Sequence, residues 1–350
     1  MSLDIGLILA MDGIANGAIY VLVGLGIVLI FSVTRVVFVP FGDIAAFSAL
    51  TLASLQMGRL PGTIWLVAVL AALATAVEAW SLTRRQEAWK IPRALLFYAA
   101  LPLLPVGAAV LLAGRDLPVA VEIALALALV LPIAPLLDRI AFRPIADASV
   151  LILLIVAVAL HFAVAGLGLL FFGPEGFRTE PLTSAIFEVG GMIVTAQVAL
   201  MIAASVVFSL MLLLFFEHTV MGKALRATAV NRTGARLMGI RPARTGAIAF
   251  LLASALGGIS GILIGPVTTL YYDSGFLIGL KAFVGAIIGG LVSYPMTALG
   301  ALLIGMLESY ASFWNSALKE VVVFSFLIPV LLWRSLAYGD AEEAHEEIDQ

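Results

Sequence analysis

Few side chains in this sequence can do chemistry, and most of those lie within apolar stretches. Asp12, Asn16 and Tyr20 follow one another at four-residue intervals. In a helix that spacing puts a carboxylate, an amide and a phenol on one stripe. Gly13 and Gly17 lie beside the stripe, where a second helix can approach closely. His161 and Gln197 stand alone in their runs, with no acid near His161 in sequence. Glu78 and Glu122 also interrupt apolar runs, with Glu78 close enough to Arg84 or Arg85 to pair. Lys281 follows the polar turn Tyr271-Tyr272-Asp273-Ser274-Gly275. Ionisable groups inside a bilayer are costly and usually face a cavity or the bundle interior. Asp12 therefore reads as a pathway group or as a hydrated residue at the membrane surface. His161 reads as a proton carrier or, by preference, as a hydrogen-bonded packing group, and Gln197 likewise. The turn before Lys281 reads as the lining of a solute path or as an ordinary loop.

Other chemistries are excluded by composition. There is no cysteine, and of three histidines one is in the C-terminal tail, so no metal centre is expected. The phosphate-binding GxxxxGK[ST] pattern is absent, since Gly222-Lys223 lacks the upstream glycine and the following Ser or Thr. HExxH and GxSxG are absent too. The expectation is a protein that is not an enzyme, uses no cofactor and binds no nucleic acid.

These residues sit in elements that must be membrane helices. Of 350 residues, 63% are hydrophobic and 12% charged, with a mean hydropathy of +1.15. Soluble domains carry about 25% charged residues. Eleven stretches approach the roughly 20 apolar residues a span needs: 5–31, 39–57, 62–82, 94–113, 118–137, 149–172, 190–216, 246–270, 279–293, 297–313 and 319–336. They are continuous and rich in Leu, Ala and Val, so the expected fold is an all-α polytopic transmembrane helix bundle, not a barrel. The last three are short and broken by Ser293, Pro295 and polar residues near Asn315, which makes one of them a re-entrant candidate. The first reads as a retained helix and not a cleaved signal peptide, because the first basic residue is Arg35 and Asp4 and Asp12 precede it. Gly257, Gly261 and Gly265, then Gly285 and Gly289, recur at four-residue spacing and read as close-packing faces. Residues 1–338 form one transmembrane domain, and 339–350 an acidic, disordered tail.

Orientation follows from the positive charges. The loop 217–245 holds Lys223, Arg226, Arg232, Arg236, Arg241 and Arg244 against Glu217 alone. The stretches 83–93 and 138–148 are also basic, and eleven spans put all three on one side with Arg35 and Arg334. That side is cytoplasmic, so the N-terminus lies outside and the C-terminus inside. Within the loop, Thr233 can cap a short helix that Gly239 and Pro242 end. Such a helix either rests on lipid or docks into a partner's groove.

Four stretches carry a resemblance to a known family: 16–37 (NGAIYVLVGLGIVLIFSVTRVV), 137–149 (LDRIAFRPIADAS), 222–240 (GKALRATAVNRTGARLMGI) and 279–309, which contains Lys-Ala-Phe, Gly-Gly and a proline after a polar turn. In order and spacing they resemble the permease subunits of branched-chain amino-acid ABC importers, the LivH-like family. The resemblance implies a multi-pass protein of the bacterial inner (plasma) membrane that translocates branched-chain or other hydrophobic amino acids. It implies as partners ABC ATP-binding subunits, a second permease subunit and an extracytoplasmic solute-binding protein. It places ATPase coupling at Ala227, Ala229, Asn231, Ala235, Met238, Gly239 and Ile240. The candidate substrate pathway is Asn16, Tyr20, Phe38, Gly42 and Lys281. Two departures stand out. Family members often have Asn-Phe-Ala-His-Gly where this chain has Phe38-Val39-Pro40-Phe41-Gly42, and 62–113 reads as a two-span insertion packed at the periphery. The alternatives left open are an ABC permease for amides, urea or aromatic acids, and an ion-coupled secondary transporter of a small solute.

Overall fold

The computed structural model describes residues 3–115, 117–183, 185–189 and 192–333. The acidic tail 339–350 lies outside them. The described residues fold into thirteen numbered helices and one hairpin: α1 (Leu3–Thr34), α2 (Phe41–Gln56), α3 (Thr63–Arg84), α4 (Ala88–Leu112), α5 (Val119–Ile145), α6 (Val150–Phe172), β1 (Ile186–Val189), β2 (Met192–Thr195), α7 (Ala196–His218), α8 (Val220–Val230), α9 (Arg232–Leu237), α10 (Pro242–Ile264), α11 (Ser274–Ile288), α12 (Tyr294–Trp314) and α13 (Lys319–Ser325). Each predicted stretch overlaps a helix among the described residues. Eight of the helices are long and apolar enough to cross a membrane, whereas α2, α11 and α13 are shorter.

Helix ends follow local chemistry. Ser149 and Ser293 cap α6 and α12 through their hydroxyls, and Pro242 opens α10. Gly173, at φ 83°, ends α6. The span expected from residue 190 begins instead at Ala196, because the β-branched and aromatic IFEV and MIVT segments pair as an antiparallel hairpin.

The centre of the bundle is α1, which packs on α12, α10, α11 and α7. Its glycines permit this: a Cβ on Gly13 would lie 2.7 Å from the Met306 Cα of α12. In both α1–α2 and α10–α11 a long helix is followed by a shorter one. The short helices cross at Gly42 and Gly275, each the second residue of its helix, where a Cβ on Gly275 would lie 2.6 Å from the Asp43 nitrogen. Gly261 and Gly285 make equally close crossings, with Ala45 and Ala301. The expected peripheral position of 62–113 holds for one helix only. Most of α4 is exposed, but Leu66, Val67, Leu70 and Ala74 of α3 belong to the main core. The Thr51 and Thr63 hydroxyls also hydrogen-bond, tying α3 to α2.

Candidate substrate pathway and coupling surface

A closed set of charges lies between α1, α11, α12 and α13. The helix α12 ends at Asn315, whose side-chain oxygen accepts from the Ala317 nitrogen at 3.0 Å. The resulting turn brings Lys319 and Glu320 back toward Glu308. Tyr20 donates to Glu308 Oε2 at 2.5 Å, and Lys281 Nζ donates to Glu308 Oε1 at 2.6 Å and Glu320 Oε1 at 3.0 Å. Lys319 Nζ stands 4.0 Å from Glu308 Oε1. Glu308 is only 8% exposed, so its charge is held by these donors and not by water. The stripe on α1 is thus graded: Asp12 is exposed, Asn16 half-buried and Tyr20 buried. Asn16 lines a cavity of about 260 Å³ with Glu308, Ser309, Ser312, Phe313 and Lys319, and Leu9 completes its wall.

A second buried pair joins α6 to α2. His161 Nδ1 lies 2.7 Å from Asp43 Oδ2, and the imidazole stacks on Phe276 at 4.6 Å between ring centres. Asp43 Oδ1 has no partner among the described residues. Phe38 and Gly42 do not line the cavity beside Asn16. Phe38 packs edge-on against Phe142 and Phe250, at 5.9 and 5.1 Å, and Gly42 is consumed by the crossing with α11. Gln197 is buried too, donating to the Leu263 carbonyl at 2.8 Å.

The basic segments meet at the other end of α1. A π turn over Asp138–Phe142 of α5 places Asp138, Arg139 and Phe142 in the interior. Arg139 pairs with Glu78, correcting the expected partners Arg84 and Arg85: about two turns of helix separate those from Glu78 along α3, whereas α5 packs directly on it. Arg143 binds Asp138 at 2.9 Å, the Tyr98 hydroxyl at 2.9 Å and the Ala243 carbonyl at 3.0 Å. Arg232 reaches the Ala146 carbonyl at 3.2 Å. The loop is therefore fastened to its neighbours, and two short helices, α8 and α9, project from it.

Asn231 and not Thr233 caps α9, its Oδ1 accepting from the Gly234 nitrogen at 2.8 Å. Gly239 closes it at φ 82°, with Gly239 and Ile240 nitrogens donating back to Arg236 and Ala235. Of the seven residues expected to form a coupling surface, Ala227, Asn231, Met238 and Gly239 are exposed and Ala229 and Ile240 half-exposed. Ala235 is 4% exposed and faces inward, whereas Met238 lies just past the last helical residue, Leu237, and projects outward. Leu237 and Met238 are 84% and 82% exposed. Beneath α8, a cavity of about 270 Å³ is bounded by Ser32, Arg35, Phe216, Arg226 and Tyr294.

A family profile described as the branched-chain amino acid transport system / permease component matches residues 9–331. The chain belongs to this permease family. Among known relatives, the high-affinity branched-chain amino acid transport system permease protein LivH of Escherichia coli (strain K12) is 32% identical over 206 residues, covering 56% of this chain and 66% of that one. The counterpart BraD of Pseudomonas aeruginosa is 30% identical over 205 residues, covering 57% and 67%. A probable LivH of Methanocaldococcus jannaschii is 29% identical over 195 residues, covering 52% and 60%. The match thus spans just under two thirds of the LivH chain. No solved structure matches. With its eight apolar helices, the permease is a multi-pass protein of the inner membrane. Its family is one of transport permeases and not of enzymes.

Sequence reasoning passed over Asp43, Glu308 and Glu320. Asp43 opens α2 as an ordinary first-turn acid, and Glu308 sits in a run ending in polar residues. Neither is marked by spacing, because their partners lie 118 and 27 residues away. One signal was available: Lys281 is an isolated cation in an apolar run, and a buried cation needs a carboxylate.

Proposed function

We propose that this permease is the membrane-spanning subunit of an ABC importer that carries branched-chain or other hydrophobic amino acids inward. The basic end of the bundle is cytoplasmic, the N-terminus lies outside, and all eleven helical segments lie within the membrane, with α2 and α11 as paired half-length helices. Separate ATP-binding subunits dock on α8 and α9 through Ala227, Ala229, Asn231, Met238, Gly239 and Ile240. Ala235 braces that surface from below. A second permease subunit and an extracytoplasmic binding protein complete the importer. ATP binding draws the docked elbow, and the close glycine crossings let α1, α2, α10 and α11 shift against one another, alternating access to the path near Asn16, Tyr20 and Lys281.

The observation that carries this reading is the exposure of Leu237 and Met238 on a helix capped at both ends, in the most basic loop of a chain of this family. Apolar side chains held rigidly outside a bundle favour a groove on a partner. The test is affinity purification of the tagged chain from mild detergent. An ATP-binding subunit should co-purify in stoichiometric amount; a chain that purifies alone and transports without one contradicts the proposal.

A further inference from the structure

The cavity between α1, α12 and α13 has the chemistry of a zwitterion. On one side Glu308 presents a carboxylate that is 8% exposed. Across from it Lys319 presents an ammonium whose one polar contact among the described residues is the long 4.0 Å approach to Glu308. Asn16 and Ser312 bring an amide and a hydroxyl with no hydrogen-bond partner among the described residues. Ser309 is spent as a donor, on the Leu9 carbonyl at 2.8 Å, but can still accept. Phe313 adds an apolar wall.

The charges also set what the cavity can hold. Lys281 and Lys319 balance Glu308 and Glu320, so the cluster is neutral. A ligand with net charge would leave one charge uncompensated beside a carboxylate that is itself buried. A neutral dipole extends the alternation already present, from Lys281 to Glu308 to an ammonium, and from a carboxylate to Lys319. A volume of about 260 Å³ accommodates one small amino acid.

We infer that this cavity is a binding site for the α-ammonium and α-carboxylate of an amino acid, with Glu308 facing the ammonium, Lys319 the carboxylate, and Asn16, Ser309 and Ser312 accepting or donating the remaining hydrogen bonds. This deepens the importer reading and rests on it for the class of solute. Recognition here is of the head group, so side-chain selectivity lies elsewhere.

Saturation-transfer NMR on the full chain in lipid nanodiscs tests the site with three probes: L-leucine, 4-methylpentanoate (no ammonium) and 3-methylbutylamine (no carboxylate). Leucine should bind, and each analogue should be about tenfold weaker, the loss of one charge-assisted hydrogen bond. Lys319→Met should weaken leucine about tenfold and abolish its advantage over the amine, while Lys319→Arg restores both. Lys319 is partly exposed, so these variants leave the bundle intact, which a thermal melt checks. If leucine binds equally to wild type and Lys319→Met, the site is wrong and the importer reading stands. If wild type binds no leucine while the assembled importer takes it up, the site is likewise wrong. If the importer takes up no amino acid at all, both fall.

Discussion

The two ends of α1 solve opposite problems. At one end, charges are taken out of water and answered within the chain: Tyr20, Lys281, Glu308 and Glu320 satisfy one another across four helices. At the other end, apolar side chains are left in the open: Leu237 and Met238 project from a helix whose backbone is capped at both termini. The first region answers most of its own charge, leaving Glu320 Oε2 unpartnered among the described residues and Lys319 only 4.0 Å from Glu308, and the second is rigid but unpartnered. The contrast separates charges that the chain largely answers itself from an apolar surface left wholly to another molecule. Substitutions should therefore act on stability at one end and on coupling at the other.

The largest stability loss is expected at the closed end. Lys281→Met leaves Glu308 and Glu320 without their central cation, and breaking a buried pair from one side costs about 3–5 kcal/mol. Thermal unfolding of the purified chain should report it; a melt close to wild type would mean the carboxylates are not held as charges. His161→Leu should cost less, about 1–3 kcal/mol, because it removes one hydrogen bond and leaves Asp43 buried and unsatisfied. A cycle with Asp43→Leu should recover part of that loss; additive losses would show that the pair does not act as a unit. Asn231→Ala should cost about 1 kcal/mol, confined to α9. Hydrogen exchange should quicken over residues 232–238 and nowhere else, and quickening that spread into α10 would break the separation between the two ends.

The sequence made one of these regions far more legible than the other. The basic elbow is local: the arginines, the asparagine cap and the left-handed Gly239 all lie between residues 226 and 244, and what missed was the choice of Thr233 over Asn231 as cap and the placing of buried Ala235 on the surface. Both can cap, and the helix simply starts earlier, with Asn231 as its cap and Arg232 as its first residue. The membrane helices were legible for the same reason, since each is a continuous apolar run. The short lengths of α2 and α11 were legible too, but α11 was expected from residue 279 and begins at Ser274, where Gly275 crosses Gly42. The hairpin at 186–195 was read as the start of a span, as apolar β-branched residues suit either state. The charge cluster was the least legible. Asn16, Tyr20 and Lys281 stood out singly, but nothing short of the fold unites them with Glu308 and Glu320, or Asp43 with His161.

The smallest expected effect on stability belongs to the substitution with the most to say about function. Met238 touches little of its own chain, so Met238→Asp should leave the melt within about 0.5 kcal/mol of wild type. Uptake driven by ATP in membrane vesicles is the direct measure of whether α9 is a docking element. The proposed importer requires that Met238→Asp, inserted at wild-type level and equally stable, lose most of its ATP-driven uptake and its co-purifying ATP-binding subunit; uptake at the wild-type rate would contradict it.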